Sequence, residues 1–83
     1  MRYVFDKTNL NVFKPLVLDR RLRALRFFNN LTQQEVAQAL GIHRSSYACY
    51  ELARTRPEYE TLIQLAALYD VSIEYLLGVA NEG

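Results

Sequence analysis

The sequence predicts an all-α fold: a compact domain of four to five short helices behind a short non-helical N-terminal arm. Three observations carry that prediction. Apolar residues recur three and four apart from Leu18 to Leu77, the spacing of one helix face. Residues that start and stop helices interrupt this pattern. Only three glycines and two prolines are present, which leaves little material for long loops. The 83 residues, 51% of them hydrophobic, suffice for one small domain with a real core.

The arm is residues 1–14, MRYVFDKTNLNVFK. Two apolar stretches, Tyr3–Phe5 and Leu10–Phe13, flank the polar DKTN. The segment reads either as a small hairpin or as an arm lying on the domain or on a partner subunit.

The domain is expected over residues 15–83. Pro15 suits the first turn of a helix, where its missing N–H costs nothing. Leu18, Leu22 and Leu25 follow at helical spacing, with Arg20, Arg21, Arg23 and Arg26 between them. Asn29 and Asn30 end this helix, because Asn tolerates the left-handed conformation. Thr32-Gln33-Gln34-Glu35 has the form of a capping box, with a hydroxyl at the N-cap and a carboxylate three residues on. Val36, Ala37 and Leu40 form the apolar face of the helix it starts, and Gly41 ends that helix.

A third helix carries Tyr47 and Tyr50, with Leu52 close behind, and stops before Pro57. Arg54-Thr55-Arg56 form a basic loop. Tyr59, Leu62, Ile63, Leu65, Ala66 and Tyr69 make the inward face of a fourth helix. Ser72 caps a fifth, with Ile73, Leu76 and Leu77 inward and Gly78 near its end. Tyr75, Val79 and Ala80 are left as exposed apolar surface.

The net charge of +1 is unevenly spread. Residues 1–28 carry seven Lys/Arg against two acids (+5), and residues 29–83 carry three against seven (−4). A basic first segment on a near-neutral domain suggests one positive face, the footprint of a polyanion partner; a solvated helix surface is the plainer reading. No apolar run approaches the roughly 18 residues that cross a bilayer, and no secretory signal pattern opens the chain. No membrane partner is expected.

The single cysteine, Cys49, cannot form an internal disulfide, so a reducing, cytoplasmic location is expected. One histidine, with no other soft ligand beside it, makes no metal site, and no cofactor is expected. His43 beside Ser45 and Ser46 does not make a nucleophile with its base. Adjacent residues on one helical turn do not converge, and no third group orients them.

Gln33 to Leu52 reads as one two-helix unit. Ala37 is small, Gly41 sits at the turn, and Val36, Leu40, Ile42, Tyr47 and Tyr50 can pack between two helices crossing over a short turn. A large side chain at Ala37 would push the second helix away.

On these residues the chain resembles the lambda-repressor/Cro-like (XRE-type) helix-turn-helix DNA-binding domain family. The resemblance covers residues 18–77. It rests on LRALR in the first helix, LTQQEVAQALGI, Glu51 after an aromatic, Arg56-Pro57, and ETLIQLAALYDVSIEYLL. It implies a lambda-repressor-like fold with the helix-turn-helix unit at 33–52. Many members of that family are transcriptional repressors that bind palindromic operators as dimers. Others are antitoxins or restriction–modification controllers, and a few serve mainly as protein-contact modules.

In that family the second helix sets its N-terminus on a phosphate and the third enters the major groove. Carried over, the base-facing set is His43, Arg44, Ser45, Ala48 and Cys49. Arg44 can grip a guanine at O6 and N7, and Ala48 can touch a thymine methyl. The serines discriminate weakly. The phosphate set is Thr32, Gln33, Ser46, Arg54 and Arg56. Similar domains also pair an arginine of the first helix with the glutamate of the third, here Arg26 and Glu51 as a structural ion pair.

The chain departs from the family pattern at three positions. His43 replaces a small hydroxyl N-cap, which implies weaker capping. Cys49 stands where a longer polar side chain often contacts DNA. Ala53 replaces a common glycine, which leaves the turn there open.

The expected function is therefore a sequence-specific regulator, a repressor of transcription that binds double-stranded DNA as a homodimer through the last helix or the arm. The alternative is a protein-interaction module, such as an antitoxin or complex subunit, whose main contact is a protein partner. No enzymatic activity is expected.

Overall fold

The computed structural model describes residues 17–80. The arm, residues 1–14, and Pro15 lie outside the described residues. Five helices follow in order: α1 Leu18–Phe28, α2 Gln33–Leu40, α3 Arg44–Glu51, α4 Tyr59–Tyr69 and α5 Ile73–Leu77. Each lies where the apolar spacing places a helix. The described residues contain no strand, and no helix among them is long and apolar enough to cross a membrane.

Local chemistry fixes both ends of α2. The Thr32 hydroxyl accepts the Glu35 N–H at 3.1 Å, and the Glu35 carboxylate accepts the Thr32 N–H at 2.8 Å. Two of the donors that a helix start leaves orphaned are satisfied reciprocally. Ser72 caps α5 through the Tyr75 N–H at 3.0 Å. His43, the N-cap of α3, makes no side-chain capping bond, because its ring is not the short hydroxyl or carboxamide that reaches the first turn.

All five helices end in one way. A left-handed residue follows the last turn: Asn30, Gly41, Ala53, Asp70 and Gly78. The next residue's N–H reaches back five positions, from Leu31 to Arg26, Ile42 to Ala37, Arg54 to Cys49, Val71 to Ala66 and Val79 to Glu74, at 2.9–3.1 Å. This is the Schellman closure.

Leu31, Ile42 and Val71 then fold back onto the core. At the end of α3 the corresponding residue is Arg54, which is exposed. The turn left open at Ala53 is thus of the same kind as the others, with an alanine held at φ 61°. This helix ends at Glu51, before the Arg54–Arg56 loop and Pro57, and Leu52 is 57% exposed.

The core draws on every helix: Leu18 and Leu22 of α1, Val36, Ala37 and Leu40 of α2, Tyr47 of α3, Leu65, Ala66 and Tyr69 of α4, and Leu76 of α5. α3 packs on both α1 and α2, and α5 packs on α1 and α4. Ala37 is fully buried, so the small residue sits where helices come close. Burying each large apolar side chain contributes about 1.5–3 kcal/mol.

Two residues expected in the core are not there. Tyr59 is 70% and Ile63 43% exposed. At 3.6 residues per turn, Ile63 lies about 110° from the middle of the Leu62–Leu65–Ala66–Tyr69 stripe, and Tyr59 about 70° from it in the first turn. The six apolar residues span more than one helix face.

At the other end, Val79 is exposed, but Tyr75 and Ala80 are half-buried. The Arg21 guanidinium lies over the Tyr75 ring at 4.1 Å and donates to the Tyr75 and Ala80 carbonyls. Gly78 is held at φ 86°, and a β-carbon there would stand 2.6 Å from Val17 Cγ2.

Candidate nucleic-acid interface

The centre of the candidate site is Glu51, the last residue of α3 and 2% exposed. Its carboxylate accepts Arg26 Nε at 2.7 Å and Arg26 Nη2 at 3.0 Å, a two-pronged pair between α3 and α1. Gln33 Nε2 of α2 donates to the same carboxylate at 3.1 Å. Burial alone would raise the Glu51 pKa. Hydrogen bonds from Arg26, Tyr47 and Gln33 outweigh it and hold the carboxyl below its ordinary value. The Tyr47 and Tyr69 hydroxyls lie 3.4 Å apart behind it. Burial, with hydrogen bonds to Glu51 and Tyr69, pushes the Tyr47 phenol far up.

α1 grips α3 twice. Arg23 donates to the Glu51 carbonyl, which closes the C-terminal end of α3 where carbonyls lack helical partners. Arg23 is itself steadied by Asp19 one turn earlier, at 3.7 Å. With Arg21 committed to α5, three of the four arginines of α1 hold other helices. Among the described residues of the basic first segment, Arg21, Arg23 and Arg26 thus serve first as scaffold. Sequence reasoning missed Arg21 and Arg23 because nothing in their spacing distinguishes a clamp from a solvated cation.

The exposed surface lies on the other side of this clamp. His43, Arg44, Ser45 and Ser46 are exposed at the N-terminus of α3, while Ala48 and Cys49 are half-buried. The second turn of the helix thus presents less than the first. Arg44 Nη1 donates to Gln33 Oε1 at 3.2 Å. Cys49 opens onto a surface recess of about 390 Å³, lined also by Ser46, Tyr50, Thr55, Arg56 and Thr61. Arg54 and Arg56 stand exposed on the loop after α3.

At the start of α2, the first-turn N–H groups of Gln33 and Gln34 point out of the helix without helical acceptors, as at any helix start. The Thr32 hydroxyl, which accepts from Glu35, keeps its own hydrogen to donate. The arrangement brings together a helix N-terminus, an exposed arginine-bearing helix start and a basic loop. That combination suits a polyanion with readable edges.

Comparison with known proteins agrees. Residues 20–82 match the helix-turn-helix domain family. The uncharacterized HTH-type transcriptional regulator YobD of Bacillus subtilis (strain 168) is 43% identical over 63 residues, which is 76% of this chain and 56% of that protein. The cryptic phage CTXphi transcriptional repressor RstR of Vibrio cholerae is 37% identical over 57 residues, 69% of this chain and 51% of that protein. This chain spans about half the length of the curated relatives it matches.

Among solved structures, the hypothetical transcription factor NHTF from Neisseria superposes with a TM-score of 0.70 at 23% identity. The match covers 93% of this chain and 82% of that one, a likeness of fold. The all-α fold, the helix-turn-helix unit and these matches place the chain in the XRE-type helix-turn-helix family.

Proposed function

We propose that the chain is the double-stranded DNA-binding domain of a cytoplasmic transcriptional regulator, a repressor that acts as a dimer on a palindromic operator. The observation that carries this reading is the presentation of α3. Its inner end is fixed by Arg26 and Glu51, and its outer end offers Arg44 and two serines to a groove. Arg44 reads a guanine, and Ser45 and His43 contact neighbouring edges. Ala48 and Cys49, being half-buried, line the groove wall. Thr32, Gln33, Ser46, Arg54 and Arg56 hold phosphates. Two half-sites would lie about one helical turn, roughly 34–36 Å, apart. Names of relatives that are regulators or repressors support the reading. Family membership speaks for a DNA-binding regulator and against an enzyme.

The test is selection of duplexes from a random pool, followed by titration of the enriched sequence. Enrichment of a two-fold symmetric site, bound more weakly as salt rises from about 50 to 200 mM, is the expected result. Equal binding of all duplexes at both salt levels would remove the proposal.

A second reading has one observation behind it. Among the described residues Arg21, Arg23 and Arg26 donate within the domain, which leaves Arg44, Arg54 and Arg56 to carry the candidate face; with so sparse a face a protein partner is the main contact, as for an antitoxin or complex subunit. Arg44→Ala separates the two. It cripples operator binding under the first reading and leaves partner binding intact under the second.

A further inference from the structure

We propose that the recess between α3 and the segment leading into α4 is a binding site for a small zwitterion of the α-amino acid class. Arg56 takes its carboxylate, Glu58 takes its ammonium group, and an occupied recess competes with DNA. The site stands on its own geometry; the competition rests on the reading of the chain as a DNA-binding domain.

The recess, of about 390 Å³, falls in the lower part of the range of about 300–1,000 Å³ that small-molecule sites cover. Pro57 sets its charged rim. It is buried, and a proline keeps the residue before it extended. Glu58 is extended too, at φ −68° and ψ 166°. In an extended segment residues two apart project to one side, and the residue between them projects to the other. With Pro57 turned into the domain, Arg56 and Glu58 face outward together, and both line the recess.

Opposite charges this close in sequence can satisfy each other. These do not: among the described residues neither pairs with the other or with any third group. Glu58 is the N-cap of α4, yet its carboxylate makes no capping bond. The Ser46 and Thr61 hydroxyls, which also line the recess, have no partner among the described residues either.

A guanidinium only donates and a carboxylate only accepts, while a hydroxyl does both. A lone anion at Arg56 would meet the Glu58 carboxylate. A lone cation at Glu58 would meet the Arg56 guanidinium. A molecule that carries both charges one carbon apart, as an α-amino acid does, satisfies both with charge-assisted hydrogen bonds. Ile42 and Tyr50, half-buried, add apolar surface for a small side chain. The Tyr50 ring is steadied edge-on against buried Tyr47, with ring centres 6.2 Å apart.

The same recess borders the face proposed for DNA, where Ser46 and Arg56 hold phosphates. An amino acid on Arg56 neutralises that cation and fills the space a phosphate needs. Glu58 has no part in the DNA contacts, so it separates the response to an amino acid from DNA binding.

The experiment titrates the full chain with glycine, L-serine and L-valine, followed by amide NMR shifts. The N-acetyl and amide analogues of each, which lack one charge, are titrated alongside. Saturable shifts at Ser46, Cys49 and Thr61 are expected for at least one amino acid below about 10 mM. Its two analogues should bind at least about tenfold more weakly, as should the amino acid itself to Glu58→Gln and Arg56→Ala, because each change removes a hydrogen bond to a charged group. On the duplex enriched by selection, a saturating amino acid should lower wild-type affinity at least about threefold by mass action. Glu58→Gln should bind that duplex as well as wild type does and ignore the amino acid.

The site is overturned if no amino acid gives a saturable shift, if an analogue lacking one charge binds as tightly, or if Glu58→Gln binds the amino acid unchanged. Binding with no loss of duplex affinity overturns the competition and leaves the site. A wild type that enriches no duplex overturns the functional reading, while the NMR titration still decides the site.

Discussion

The Arg26 guanidinium of α1 meets the Glu51 carboxylate of α3 along two edges, at 2.7 and 3.0 Å, with the two side chains 14% and 2% exposed. This contact joins helices 25 residues apart in sequence and sets the presentation of α3. A buried pair of this kind is costly to break from one side, because the remaining charge has no partner. Glu51→Ala or Arg26→Ala is expected to lose about 3–5 kcal/mol of stability, read as a lowered denaturant midpoint. Replacing both together, as Arg26→Met with Glu51→Leu, is expected to recover most of that loss. A pair whose double replacement is as damaging as the single ones would contradict this account.

Acid should weaken the fold through the same carboxylate. The Glu51 pKa lies below its ordinary 4.5 in the folded chain, so the unfolded chain binds that proton more readily. The stabilisation is complete above about pH 4.5 and disappears as pH falls through the lowered folded value. Denaturant midpoints of wild type and Glu51→Gln, followed downward from pH 6, should converge in that window.

The tyrosines act at the alkaline end. Tyr47 and Tyr69 are both raised above 10.0, chiefly by burial. The folded chain therefore holds these phenol protons more tightly than the unfolded one. Their contribution is intact below about pH 10 and is lost as pH rises beyond it. Tyrosinate absorbance should lag behind that of the unfolded chain and then appear together with unfolding. Tyr69→Phe should flatten the decline.

Helix ends offer a test of backbone strain. Ala53 sits at φ 61° and Gly78 at φ 86°. Ala53→Gly should relieve the β-carbon clash and stabilise by about 0.5–1 kcal/mol, the gain reduced by the freedom glycine adds to the unfolded chain. Gly78→Ala should destabilise by more than about 1 kcal/mol, since strain and the Val17 contact act together. Thermal midpoints moving in opposite directions are the expected signature.

Phosphate and base contacts should separate by salt and sequence. Arg54→Ala and Arg56→Ala are expected to weaken binding to all duplexes alike and to lower the salt slope by about one each. Arg44→Ala should lose about 1–3 kcal/mol on the preferred site and relax the preference at one base pair. Equal behaviour of all three would mean that α3 carries no base readout.

The helix-by-helix plan was legible in the sequence because its signals are local. The Thr32–Glu35 capping box spans four residues, Ser72 caps three residues ahead, and the stops at Asn30, Gly41 and Gly78 depend on single residues and their immediate neighbours. Even Ala53 follows the rule, since the closing bond to Cys49 outweighs the strain of one β-carbon.

Only the tertiary structure decided where Arg21, Arg23 and Gln33 go. Arg21 reaches α5 across 54 and 59 residues, Arg23 reaches α3 across 28, and Gln33 reaches Glu51 across 18. Tyr59 and Ile63 differ from expectation for another reason: they stand about 70° and 110° from the middle of the buried stripe, and one helix face does not hold all six apolar residues. A capping residue meets its partner in any chain that forms the turn. A long side chain has many reachable partners, and the packing of the finished domain selects one of them.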